Sequence, residues 1–463
     1  MLGQKLHIDC QFSIEDIRAI QVLYHVYRII IFTLFLGATI FAAHAVSPSN
    51  QFQQRLLQLQ RQGNCADLPQ FGVNIHRGRD PDNVNLALIS DSAARIVRME
   101  ITWIDVERHG QYEFGSYDNT IDALRQHGKS IILGLAYGHP DHSDGPANAV
   151  FALPPNTPEQ RAAYGRFVQA VAKRYHGSDI VYEIWNEPNL DLFWPPTFDA
   201  KAYGELLGVA ARAIRDVEPD ATIIPAGLAN ENDPAQFLHT LASAGALGDV
   251  DGISFHPYRQ DGPENSLFDI AEFESAAVGR PDQPLWITEW GYSEAWLAKG
   301  GPDTRQRQAV MIGRMMLTAA LVRAKALLVY DLIDDGTDPH DQESSFGLYD
   351  YDFNPKVSAT AFRTIADLMS GCSTYEFKAD GARHTITAAF HVGTGVSFVI
   401  WTYEPGRPLE ICFTTPDTHP VELADISGNH LPLETCGAPS QVRLTLSEVA
   451  GPVILQAENN KVQ

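Results

Sequence analysis

The stretch IVYEIWNEPN, residues 180–189, is an apolar run that stops abruptly on Trp185, Asn186, Glu187 and Pro188. A strand interior rejects that ending, because proline donates nothing to a ladder and a buried carboxyl without a partner is costly. The mouth of a barrel accepts it: a strand stops there and its last side chains turn toward a cleft. What surrounds the run decides between the two.

Seven further runs share its texture. They are FGVNIH (71–76), RIVRMEI (95–101), SIILGLAY (130–137), ATIIPAGLA (221–229), DGISFHPY (251–258), PLWITEW (284–290) and ALLVYDL (326–332). Helical patterns such as TIDALRQHG, EQRAAYGRFVQAVAKRYHG and AYGELLGVAARAIRDVEP lie between them, with Gly or Pro near their ends. Eight strands with helical crossovers predict an α/β fold, a (β/α)8 TIM barrel over 71–371. A doubly wound open sheet loses support because no Gly-rich phosphate loop follows the first strand. From 372 to 463 short alternating runs (HTITAAFHV, VSFVIWTY, LEICFTT, VRLTLSE, PVILQAE) predict a small all-β domain of sandwich type that braces the barrel.

Ahead of the barrel, Arg28 precedes IIIFTLFLGATIFAAHA, an apolar run ending in the small-x-small pattern Ala43, His44, Ala45. Residues 1–45 read as a signal peptide or an N-terminal membrane anchor, and 46–70 as an amphipathic linker. Either reading predicts export to the periplasm or the cell exterior, with membrane contact only through an anchor. Export makes the cysteines informative. Cys65 precedes the first strand and Cys372 follows the last helix, both at the barrel bottom, so they are expected to pair. Cys412 and Cys436 would close the β-domain, and four free thiols are the alternative. The formal net charge of −23 argues against nucleic acid and anionic membrane as partners and fits a neutral substrate. A monomer is expected.

PLWITEWG places Glu289 at the end of the seventh strand, across the mouth from Glu187. A glycosidic bond needs such a pair, one carboxyl to protonate the leaving oxygen and one to attack the anomeric carbon. WNEP on strand four and ITEWG on strand seven resemble the clan A glycoside hydrolases. The details are most similar to family 39 and related exopolysaccharide-cleaving endoglycosidases. RIVRMEITWIDVE, ISFHPY, VYDLIDDG and SFGLYDYDFNPK continue the likeness in the same order, over residues 71–369. The resemblance implies a retaining glycosidase acting by double displacement on a poly- or oligosaccharide, an extracellular polysaccharide among the candidates. Glu187 would be its acid/base and Glu289 its nucleophile. A transglycosylase on the same site and a non-catalytic polysaccharide-binding protein are the alternatives. No cofactor and no metal are expected.

Arg98 and Glu100 alternate onto one face of the second strand. If that face is the lumen, Arg98 can bond Glu289 and lower its pKa. Asn186 is expected to donate to the sugar 2-hydroxyl, Tyr258 to bond the nucleophile, and His256 to touch the acid/base or the sugar. Glu183 is expected in the lumen beside a cation. Trp103, Tyr137, Trp194, Trp290 and Trp296 are candidates for stacking on a sugar face, Trp194 first because DLFWPP is a Pro-rich mouth loop. His76 is a candidate contact to a terminal sugar. GHPDHSDG, with His139, Asp141, His142 and Asp144, lacks metal-ligand spacing and reads as a cleft-lining loop.

Overall fold

In the computed structural model, parallel strands close into a ring. They are β1 (Gln70–Asn74), β2 (Ile96–Thr102), β3 (Ser130–Ala136), β4 (Ile180–Ile184), β5 in two pieces (Thr222–Pro225 and Leu228–Ala229), β6 (Ile253–His256), β7 (Leu285–Trp290) and β8 (Ala326–Val329). β8 pairs with β1, which joins the two ends of the chain order. The first piece of β5 pairs with β4 and the second with β6. The predicted run 221–229 is therefore one barrel strand interrupted at Ala226 and Gly227. The structure describes residues 54–459 except 57, 77–83, 144–152, 281, 404, 405, 407, 416 and 417. The leader expected over 1–45 lies outside these residues.

The helices between strands form where the sequence supplies both an apolar stripe and a start signal. Pro158–Tyr175 begins at Thr157, whose hydroxyl accepts from the Gln160 N–H, while the Gln160 side chain accepts from the Thr157 N–H. That reciprocal cap satisfies amides the helix itself cannot.

Strand periodicity sorts the lumen into layers. Ile96, Ile132, Val181, Ile224, Trp286, Ala326 and Leu328 form one buried apolar cluster at the bottom. Two residues further along their strands stand Arg98, Glu183 and Thr288, each on the face of its apolar neighbour. The plug below makes a low-dielectric floor, so polar groups in the layer above must satisfy one another.

After the last barrel helix, Val357–Gly371, come antiparallel strands. Thr374–Asp380, Thr385–Val392, Gly395–Thr402, Val453–Asn459 and Thr418–Asp425 form one sheet, and Leu409–Thr414 with Gln441–Leu446 forms a second. Phe398, Ile400, Leu423 and Leu455 of the first pack with Val442, Leu444 and Leu446 of the second, as a sandwich requires. The expected linker contributes to this sheet: Arg61–Asn64 is a strand that pairs antiparallel with Thr374–Asp380. Cys65 bonds Cys372, with Cα atoms 5.9 Å apart, and Cys412 bonds Cys436. The helix Thr304–Val322 is buried on nearly every side from Gln308 onward, because barrel and β-domain both cover it. Its Arg314 forms a buried pair with Glu264, which also accepts from Trp401 Nε1 of the β-domain at 2.8 Å.

Candidate active site

Arg98 organises the floor of the mouth. Its Nε donates to Glu183 at 2.5 Å, and one terminal nitrogen donates to Asn74 Oδ1 at 3.0 Å and Glu289 at 2.7 Å. The other donates to Asn186 Oδ1 at 2.9 Å. Because guanidinium only donates, this bond fixes the Asn186 amide with oxygen inward and leaves its NH2 as a donor. Glu183 is fully buried and takes further bonds from Thr288 Oγ1 at 2.7 Å and Gly227 N at 3.2 Å.

Glu187 and Glu289 face each other above this floor, and each offers a carboxylate oxygen within 4.8 Å of the other and of a His256 ring nitrogen. His256 Nδ1 lies 2.8 Å from Glu187 and its Nε2 2.9 Å from Thr288 Oγ1. Tyr258 donates to Glu289 Oε2 at 3.0 Å. The turn that presents Glu187 has unusual backbone, with positive φ at Trp185 (77°) and Glu187 (40°). Each such residue costs roughly 1–3 kcal/mol and persists only if its surroundings hold it. Here Trp185 Nε1 donates to Phe193 O, and the Glu187 N–H donates to Gly227 O. Gly227 is the break in β5. A β-carbon on it would stand 2.0 Å from His256 Nε2, closer than any contact allows, so glycine alone permits this approach.

Burial pushes Glu187 up to about 8; Arg98 opposes the rise, while the charges of Glu231, Glu343 and Glu183 add to it. Burial also raises Glu289, with His256 and Arg98 pulling it back down. Burial lowers His256 itself, so its ring is neutral and Arg98 is the cation that counts at Glu289. Arg98 bonds Glu289 and lowers its pKa as expected, yet the net shift is upward. Arg98 does stabilise the anion, but desolvation is larger and Arg98 is shared with Glu183.

The structure brings together Arg98, Asn186, Glu187, His256, Tyr258 and Glu289. The stacking candidates fare differently. Trp103, Trp194 and Trp290 are 0–1% exposed and belong to the core. Trp103 is held by Glu107 and stacks on His142, and Trp194 meets Trp185 and Tyr203 edge to face. Large rings at strand ends fill the space behind the loops before they face solvent. Tyr137 is buried with its hydroxyl 3.3 Å from Glu100, whereas Trp296 is half-buried, edge-on to Tyr258 and Phe346. In the GHPDHSDG loop, His139 bonds Glu107 O and His142 bonds the Glu107 carboxylate, so both rings fasten the loop.

His76 is half-exposed, stands 2.9 Å from Asp335 and 3.8 Å from Asp331, and could hold a cation with them. Burial works against its charge, but the bond to Asp335 and the charges of Asp331, Asp335 and Glu289 win and lift it to about 9. The roles of Asn74, Gly227, Thr288 and Asp331 are not legible in the sequence. Their signal was parity with Arg98 or position at a strand end, which many structural residues share.

Residues 95–388 match the model of glycosyl hydrolases family 39. The chain belongs to that family. Among solved structures, a family 39 glycoside hydrolase from Bacteroides cellulosilyticus WH2 aligns at a TM-score of 0.69 and 23% identity, over 84% of this chain and 81% of that one. A monomeric beta-xylosidase from Caulobacter crescentus aligns at 0.62 and 16%, over 85% and 96%. At such identities the likeness shows the fold, a barrel with a C-terminal β-domain. A Beta-xylosidase from Geobacillus stearothermophilus is 32% identical over 91 residues, 19% of this chain and 18% of that relative. This chain thus matches under a fifth of that curated relative's length.

Proposed function

We propose that this family 39 chain is a retaining β-glycosidase that hydrolyses an oligo- or polysaccharide outside the cytoplasm. Glu187 protonates the leaving oxygen, and Glu289 attacks the anomeric carbon to form a glycosyl ester. Water then attacks the ester while Glu187, now ionised, takes its proton. The observation that carries the reading is the asymmetry of the pair. Glu187 lies against a neutral imidazole and keeps its proton to about pH 8, whereas Glu289 is bonded to a guanidinium and a phenol. Carboxylate oxygens within 4.8 Å favour double displacement, which uses a spacing of about 5–5.5 Å, over inversion, which needs roughly 6.5–9.5 Å to admit water. Asn186, its NH2 free to donate, suits the sugar 2-hydroxyl.

Aryl β-xylosides and β-glucosides, then cell-surface polysaccharides with mass-resolved products, form the first screen. NMR of the first-formed product tests the mechanism. A retained anomer, a glycosyl azide of retained configuration from Glu187→Ala in azide, and loss of several orders of magnitude in Glu289→Gln are expected. An inverted product overturns the assignment of Glu289. N-terminal sequencing of the native protein tests export: a start near Val46 supports a cleaved leader, and an intact membrane-held leader supports an anchor.

A further inference from the structure

The two glutamates are the ends of one unbroken chain of buried hydrogen bonds. It runs Glu187 to His256 (2.8 Å), His256 to Thr288 (2.9 Å), Thr288 to Glu183 (2.7 Å), Glu183 to Arg98 (2.5 Å) and Arg98 to Glu289 (2.7 Å). Nothing in the double displacement itself calls for the middle of that chain. We propose that Thr288 and Glu183 are positioning residues that set the tautomer of His256, and through it hold the acid proton on Glu187 until a leaving group takes it.

The argument is a count of protons. Arg98 can only donate, to Glu183 Oε2, and the Gly227 N–H can only donate, to Oε1, so both oxygens of the Glu183 carboxylate accept. Thr288 has one hydroxyl proton, and the acceptor 2.7 Å away on Glu183 takes it. The oxygen of Thr288 is then left with lone pairs only. One faces Ser254 Oγ at 2.9 Å, and the other faces His256 Nε2. His256 Nε2 must therefore carry the ring proton, since two lone pairs at 2.9 Å would repel. A neutral imidazole protonated at Nε2 presents a bare lone pair at Nδ1. Only a protonated Glu187 can satisfy it, by donating O–H to Nδ1.

Direction passes along the chain from a fixed charge at Arg98 to a mobile proton at Glu187, 2.8 Å from the ring. His256 is fully buried and closed in by the Gly227 backbone, so the ring cannot flip to exchange its nitrogens without breaking both bonds. Other ionisable groups face this relay: Glu289 of β7, 3.7 Å from Nδ1, Tyr258 after β6, and Glu231 and Glu343 by charge on Glu187. None of these donates to Nδ1 or accepts from Nε2 among the described bonds.

The inference rests on Glu187 as the acid, and the experiment separates the two. Thr288→Val keeps the shape and removes the acceptor for Nε2–H. Dinitrophenyl and methyl glycosides of the sugar found in the screen differ in how much they need protonation at the leaving oxygen. Thr288→Val is expected to lower kcat/KM at least tenfold more for the methyl than for the dinitrophenyl glycoside, and Thr288→Ser to restore the ratio. Uniform loss across both substrates, or no loss, overturns the relay. Glu187→Ala run in parallel reports on the acid itself. If it shows no dependence on the leaving group, the assignment of Glu187 fails; if it does and Thr288→Val does not, the relay alone fails. Heteronuclear NMR of the imidazole nitrogens in the unaltered protein needs no variant to fold. A protonated Nε2 with a bare Nδ1 is expected, and the opposite tautomer overturns the proposal.

Discussion

Gly227→Ala adds one methyl group and no chemistry, yet it should damage both stability and rate. The new β-carbon would overlap the His256 ring, where no real side chain fits, so ring or backbone must move. Each ring nitrogen holds a hydrogen bond, to Glu187 and to Thr288, and the ring is fully buried. Breaking one such bond and leaving its partner unsatisfied costs about 1–3 kcal/mol. Crowding a packed interior adds a similar amount, so the loss should be roughly 2–6 kcal/mol. The backbone has its own stake, because Gly227 N donates to Glu183 and Gly227 O accepts from Glu187. A shift of the acid/base by about 1 Å is worth on the order of a hundredfold in rate. Denaturant unfolding and kcat/KM on a substrate with a poor leaving group measure the two effects. Gly371→Ala, where a β-carbon meets nothing within 4 Å, is the control and should stay within about 0.5 kcal/mol. If Gly227→Ala behaves like that control in both assays, the close approach of His256 to the β5 break is refuted. If stability falls but rate does not, His256 has no hold on Glu187.

The acid form of Glu187 should persist to about pH 8, so kcat/KM for poor leaving groups should decline only as pH rises through that value; a basic limb below pH 6 would contradict the burial argument. His76 is raised to about 9, above its unfolded value of roughly 6.5. Its contribution to stability is complete below that unfolded value and fades as pH rises through 9. Unfolding of His76→Ala should thus show a larger penalty at pH 6 than at pH 10, and equal penalties would exclude the ion pair with Asp335. Replacing Cys65 and Cys372 by Ser should cost about 2–4 kcal/mol. The loop-entropy argument gives this bridge, with a separation of 307, about 2 kcal/mol more than Cys412–Cys436 with 24. Calorimetric or denaturant midpoints in the reverse order would show that strain or residual structure dominates.

The chain's own pattern determined the layout. Period-two runs separated by capped helices specify a closed barrel, and a strand ending in Asn186, Glu187 and Pro188 can only be a mouth. Glu289 on the seventh strand and the parity of Arg98 with Glu100 placed the carboxylates and their cation, because strand alternation is local and readable. Even the pairing of Cys65 with Cys372 followed from topology, since the strand that opens a barrel and the helix that ends it meet at the same end. Three-dimensional packing decided what local rules cannot express. Whether a ring at a strand end faces sugar or core depends on what lies behind it, and Trp194 and Trp103 found neighbours that bury them. Arg61–Asn64 became a strand because a sheet edge was there to receive it. The sign of the Glu289 shift turned on desolvation against a shared guanidinium, a balance of burial and distance. Glu183 was legible as a lumen carboxylate beside a cation, but Gly227 and Thr288 came within its hydrogen-bond reach only when the strands assembled, for a hydrogen bond across a lumen has no period in the sequence.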